Sequence, residues 1–168
     1  MAHYEKGDKC VKSLDFTDSA KVIFEPALSF MGDEEDYIKV VENLKKLCPK
    51  AIPDYVRMIF LDTITANPDR HTGNFGLMRD VKSGELLGLA PNFDNNMALI
   101  ARGYPTTKST NDLLITLFNE LMEKYPEYKV YIPTLTEQMI KKVINKLNMK
   151  VKSQLIVDFV MKRYQAIK

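Results

Sequence analysis

Three oxygen-bearing side chains stand out for their spacing: Asp69, Asn74 and Asp94. Two lie in Asn67-Pro-Asp-Arg-His-Thr-Gly-Asn-Phe-Gly76, and the third in Asn92-Phe-Asp-Asn-Asn96. A carboxylate beside an attacking hydroxyl can orient it and receive its proton. An amide oxygen five residues on, in a tight loop, can face a divalent cation that rides on phosphate oxygens. A second carboxylate, reached after a hairpin, completes such a site. Magnesium takes a few hard oxygen ligands and keeps several waters, so Asn74, Asp94 and the oxygens of ATP would satisfy it. The chemistry is then phosphoryl transfer, done by positioning and charge neutralisation rather than by covalent catalysis. His71 is read as bracing the loop backbone or Asp94, with direct proton transfer as the lesser alternative. Arg70 either contacts phosphate or, as the simpler reading, pairs with a local acid. Asn67, Asn95 and Asn96 suit turns, although Asn67 could also hold the loop or touch substrate and the last two could assist the metal.

The elements that must hold these groups can be read from the apolar pattern. Asp33-Glu-Glu-Asp is an acidic helix start, matched to the positive end of the helix dipole. Its helix runs to about Leu47 with Tyr37, Val40, Val41, Leu44 and Leu47 on one face, and Cys48-Pro49 ends it. Pro53 opens the next helix. Tyr55, Val56, Met58, Ile59, Phe60, Leu61 and Ile64 make that helix apolar nearly all round, so it should be central and buried. Asn67-Pro68 closes it, because the residue before a proline is pushed out of the helical region. Two short strands follow, 74–79 and 85–89, with a Ser-Gly turn signal between them. Residues 90–109 form a long irregular segment of the kind that is often functional. Helices are expected over 110–124, 136–147 and 150–167. Val22-Ile-Phe reads as a short strand stopped by Pro26. The chain therefore divides into an extension or lobe-connecting segment, 1–34, and one domain, 35–168.

Composition bounds the rest. The 168 residues, 45% hydrophobic and 27% charged, suit one soluble globular domain or a large lobe of a bigger enzyme. No apolar run approaches the ~20 residues needed to cross a bilayer. The first residues carry no signal-peptide core, so a cytoplasmic location without membrane contact is expected. Cys10 and Cys48 are widely separated and read as reduced thiols. With only two histidines, His3 and His71, a Cys/His zinc site is not expected. From Gln138 onward there are eight Lys or Arg and one acid, Asp158. That basic end reads first as the wet face of terminal helices, and second as a nucleic-acid contact.

Asp69-Arg-His-Thr-Gly-Asn-Phe-Gly, the hairpin, and Leu89-Ala-Pro-Asn-Phe-Asp together resemble the C-terminal catalytic lobe of HipA-like serine/threonine kinases. The Asp-Arg-His-x-x-Asn string is also similar to the catalytic loop of phosphatidylinositol kinases, but Asn95-Asn96 stands where that family has Phe-Gly. The resemblance implies an α+β, mostly helical, protein-kinase-like C-lobe with one small β-hairpin. It implies Asp69 as the catalytic aspartate, Asn74 and Asp94 as magnesium ligands, and ATP and Mg2+ as cofactors. The acceptor would be a protein serine or threonine, with a lipid or small-molecule hydroxyl as the alternative. A bacterial toxin–antitoxin setting, with an antitoxin-like partner, goes with the family. No Gly-x-Gly-x-x-Gly loop occurs, and Lys21 in Ala20-Lys-Val-Ile is only weakly similar to the strand lysine that grips ATP. The expectation is therefore that the N-terminal lobe is missing and supplied by a separate partner. The competing expectation is an inactive kinase-like binding module, regulatory or within a toxin–antitoxin or mobile-element complex, that touches DNA through its basic end.

Overall fold

The computed structural model describes residues 2–4, 11–13, 15–103, 112–146 and 151–167. Among these described residues, six helices and five strands follow in the order β1 (Ala2–Tyr4), β2 (Val11–Ser13), β3 (Val22–Pro26), α1 (Leu28–Met31), α2 (Tyr37–Leu47), α3 (Ile52–Thr65), β4 (Gly76–Asp80), β5 (Leu86–Leu89), α4 (Leu113–Lys124), α5 (Glu137–Lys146) and α6 (Ser153–Gln165). Short 3-10 turns precede α3, follow β5 and follow α4.

α3 is the axis of the molecule, as its apolar sequence demands. Tyr55, Val56, Met58, Ile59, Phe60 and Ile64 are buried, and helices α2, α4 and α6 pack around it. Val40, Val41 and Leu44 come from α2, Phe118, Leu121 and Met122 from α4, and Ile156, Val157 and Val160 from α6. Each such aliphatic side chain is worth roughly 1.5–3 kcal/mol when fully buried, so this cluster is the main stabilising term. Leu47, Leu113 and Leu155 share the helical period but stay 44%, 70% and 41% exposed. Each sits near a helix end, where neighbours cover less of the surface.

The helix starts obey capping chemistry. Asp36 accepts from the backbone N–H groups of Ile38 and Lys39, so the acidic run supplies an N-cap and α2 begins at Tyr37. Asp112 caps α4 by accepting from Leu114 N–H at 3.0 Å. Thr136 does the same for α5 through Met139 N–H. The start expected for α4, at residue 110, lies outside the described residues.

The expected hairpin is β4–β5, and a third strand joins it. β3 pairs antiparallel with β4 in the register Val22 with Asp80 through Pro26 with Gly76. The segment before residue 35 thus contributes a strand to the same sheet as the hairpin. Pro26 ends β3 as anticipated. Gly76 is required by this pairing, since a Cβ there would come within 2.0 Å of the Glu25 carbonyl oxygen. β1 and β2 form a separate two-stranded ribbon. No helix among the described residues is long and apolar enough to cross a membrane.

Candidate active site

The loop that carries Asp69 and Asn74 leaves α3 through Ala66, whose left-handed backbone (φ 52°) turns the chain off the helix. Its far end is tied to the segment after β3: Ala27 N–H donates to Phe75 O at 2.9 Å and Leu28 N–H to Thr72 O at 3.0 Å. Asn74 N–H donates to His71 O at 2.8 Å, closing a turn inside the loop. The loop is thus pinned at both ends to rigid elements, which is what a precisely aimed side chain needs.

Asn74 is buried, and its amide Nδ2 donates to the Asp69 carbonyl at 2.8 Å. That bond settles which end of the amide faces the loop, leaving Oδ1 with no hydrogen bond from the described residues. Asp69 is half-buried, and its carboxylate makes no hydrogen bond or ion pair among the described residues. Asp94 is exposed and equally unpaired within that set. His71 is exposed, and its Nδ1 accepts from Gly73 N–H at 3.1 Å, so the ring folds over its own loop backbone. A Cβ at position 73 would lie 2.8 Å from that ring.

Arg70 connects these parts. It donates from Nε to Asp62 Oδ2 at 2.8 Å and from Nη2 to Asp62 Oδ1 at 3.1 Å, a fork-on-fork pair. Nη1 donates to Asn74 O at 2.8 Å and to Phe93 O at 2.7 Å, and Nη2 also to Asn95 Oδ1 at 2.6 Å. The backbones on which Asn74 and Asp94 sit therefore lie side by side around one guanidinium. The local acid anticipated for Arg70 is Asp62, in α3. Sequence reading missed it, yet a signal was present: an aspartate set within the apolar run of a central helix must find a cation or another polar partner. Asn67, fully buried, donates Nδ2 to the same carboxylate at 2.8 Å.

Phe93 is held from its other side by rings. It stacks on Phe16 at 6.2 Å and meets Phe24 of β3 edge-on at 5.4 Å. Lys21 pairs with Asp18 at 3.0 Å, both largely exposed, and makes no hydrogen bond or ion pair with Asp69, Asn74 or Asp94. An open groove of about 600 Å³ runs beside Asp69, lined in part by Glu35, Tyr37, Asn67, His71, Asp112 and Leu114. Burial pushes the Tyr37 hydroxyl well above its ordinary range, so it stays neutral at this groove. Tyr37 Oη and Asn67 Oδ1 have no hydrogen-bond partner among the described residues.

The donor set fits a hard cation. Asn74 offers an amide oxygen and Asp94 a carboxylate, each without a hydrogen-bond partner among the described residues, on backbones joined by Arg70. Among the described residues no three His, Cys, Asp or Glu side chains cluster as a metal site. A cation here would take its remaining ligands from phosphate oxygens and water. Cys48 is buried and free; Cys10 and the second histidine, His3, have no described side chains. Lys142 and Lys146 of α5, Lys152 just before α6 and Lys162 of α6 are exposed.

No protein-family model matches this sequence, and no curated protein matches it. Among solved structures, the chain is similar to the proinflammatory kinase CtkA of Helicobacter pylori, with a TM-score of 0.59 and 18% identity over 91% of this chain and 70% of the other. The architecture is a kinase-like α+β fold, mostly helical, with a small three-stranded antiparallel sheet.

Proposed function

We propose that this chain is the catalytic lobe of a HipA-like kinase and transfers the γ-phosphoryl group of ATP to a protein serine or threonine. The reading is carried by one observation: within a kinase-like fold, the Asp69–Asn74 loop and the Phe93–Asn95 segment share the Arg70 guanidinium. In this reading Asp69 orients the acceptor hydroxyl and takes its proton as the new P–O bond forms. Asn74 Oδ1 and Asp94 would hold Mg2+, which would supply charge neutralisation on the phosphates as the bond to the leaving ADP oxygen breaks. His71 keeps the loop closed and leaves the proton to Asp69. The groove beside Asp69 receives the acceptor segment. The adenine and outer phosphates would be gripped by a separate N-terminal lobe or antitoxin-like partner. Losing contacts of that kind lowers ATP affinity by several kcal/mol, at roughly 1.5–3 kcal/mol per charge-assisted hydrogen bond.

The test is calorimetric titration of Mg-ATP, followed by label transfer from γ-labelled ATP. Binding should require Mg2+ and vanish in Asp94→Ala. Asp69→Asn should bind but not transfer. Nucleotide binding that is indifferent to Mg2+ and to Asp94→Ala would remove the proposal. The exposed lysines of α5 and α6 favour a second reading, a kinase-like binding module that contacts DNA. Salt-sensitive DNA binding without nucleotide binding at millimolar concentration would select it.

A further inference from the structure

We infer that Arg70 is the positioning residue of the metal site, setting the separation of Asn74 and Asp94; this rests on the phosphotransfer reading above. An arginine has five N–H donors, and all five of Arg70's are used: two on Asp62, one on Asn74 O, one on Phe93 O and one on Asn95 Oδ1. None is left for a phosphate. The side chain is 3% exposed, so the bonds are not shared with solvent.

Two of those bonds straddle Asp94. Phe93 O on one side and Asn95 Oδ1 on the other are held by the same guanidinium, and Asp94 between them has φ 54°, in the left-handed region. A non-glycine residue stays there only when its surroundings enforce it, although aspartate tolerates it better than most. Among the described residues, Arg70 is the one side chain hydrogen-bonded both to the 69–74 loop and to the 92–96 segment. Its anchor, Asp62, is fully buried in the central helix. The chain of contact thus runs from core helix to guanidinium to both ligand-bearing backbones. Groups that orient metal ligands typically change metal affinity 10–100-fold when altered.

Lysine at position 70 would keep a positive charge against Asp62 but offers donors from a single point, which cannot span three segments. The experiment measures Mn2+ affinity in the presence of ADP by electron paramagnetic resonance, using the full chain and any partner it needs to bind nucleotide. Arg70→Lys should weaken Mn2+ about tenfold. Asn95→Ala, which removes one acceptor and leaves the Asp62 pair and both backbone bonds of Arg70 in place, should weaken it several-fold with the chain still folded. The double variant should be no weaker than Arg70→Lys, because Asn95 acts only through Arg70. A further loss in the double variant makes Asn95 an independent contributor and overturns the inference. Wild-type affinity in both single variants, with binding still abolished in Asp94→Ala, removes the role given to Arg70 and leaves the phosphotransfer reading standing. Mn2+ binding that is absent, or unaffected by Asp94→Ala, removes both.

Discussion

Two arginine forks in this molecule have the same chemistry and opposite surroundings. Arg70 grips Asp62 with side chains 3% and 0% exposed, and Arg79 grips Glu25 with side chains 33% and 31% exposed. Both pairs are two-pronged, at 2.8 and 3.1 Å in one and 2.6 and 2.9 Å in the other. The first joins the central helix to the loop and segment of the candidate site. The second crosses from β3 to β4 on the wet side of the sheet. Pair geometry is therefore not what separates them. In the buried pair each charge has surrendered its water, so the partner and the surrounding carbonyls are indispensable. In the exposed pair water stands ready to replace either partner.

The sharpest break of that comparison is Asp62→Ala. It leaves a guanidinium in the core with nothing to balance it, and it also frees Asn67 Nδ2. Removing one member of a buried pair typically costs about 3–5 kcal/mol. Urea denaturation followed by circular dichroism should show a loss of this size, with the 67–75 backbone amides becoming faster to exchange. A loss below about 1 kcal/mol would mean that water reaches Arg70 easily, and the contrast with the exposed pair would disappear.

Much of this was legible from residue spacing, and the failures have a common cause. Asp69 and Asn74 could be singled out because a turn of fixed length carries them, and turn chemistry is local. The β4–β5 hairpin was legible for the same reason, through Lys82-Ser-Gly84. Val22–Pro26 was readable as a strand, but its pairing with Gly76–Asp80 was not, because that register depends on residues some fifty positions away. Asp62 was hidden by the apolar run around it, and its partner is in another element. Leu113 matched the buried period and is 70% exposed, since periodicity reports the face of a helix and not how far neighbours extend along it. Local rules located the candidate loop; the buried Arg70–Asp62 pair that ties it to the central helix required the folded core.

A third arginine falls between the two extremes. Arg163 of α6 donates to Thr63 O at the end of α3 and pairs with Asp112, the cap of α4, with side chains 7% and 23% exposed. Arg163→Met should cost about 1.5–3 kcal/mol, the usual range for hydrogen bonds to a charged group. The pair also predicts a pH dependence. Burial opposes ionisation of Asp112, but the hydrogen bond and charge of Arg163 outweigh it and hold the carboxyl below the usual carboxylate range. A depressed folded pKa contributes stability above the unfolded value of about 3.9, and that contribution is lost as pH falls through the folded one. Wild type should therefore lose more stability than Asp112→Asn between about pH 5 and pH 2. Parallel acid profiles for the two would show that Arg163 does not act on this carboxyl.

The smallest effect belongs to the exposed fork. The hydrogen bond from Arg79 is the main cause that draws the Glu25 carboxyl below its ordinary range, with the guanidinium charge adding to it. That depression is a real interaction, but solvent and ions compete with it. Glu25→Gln keeps the strand backbone, which the close approach of Glu25 O to Gly76 requires, and removes only the charge. Its thermal midpoint should fall by less than that of Arg163→Met, and the difference from wild type should vanish in ~1 M salt, where the screening length is about 3 Å. The loss in Asp62→Ala should persist in the same salt, because ions do not enter the site of a fully buried carboxylate. If high salt rescued Asp62→Ala, or left the Glu25→Gln deficit intact, burial would not be what distinguishes the two forks.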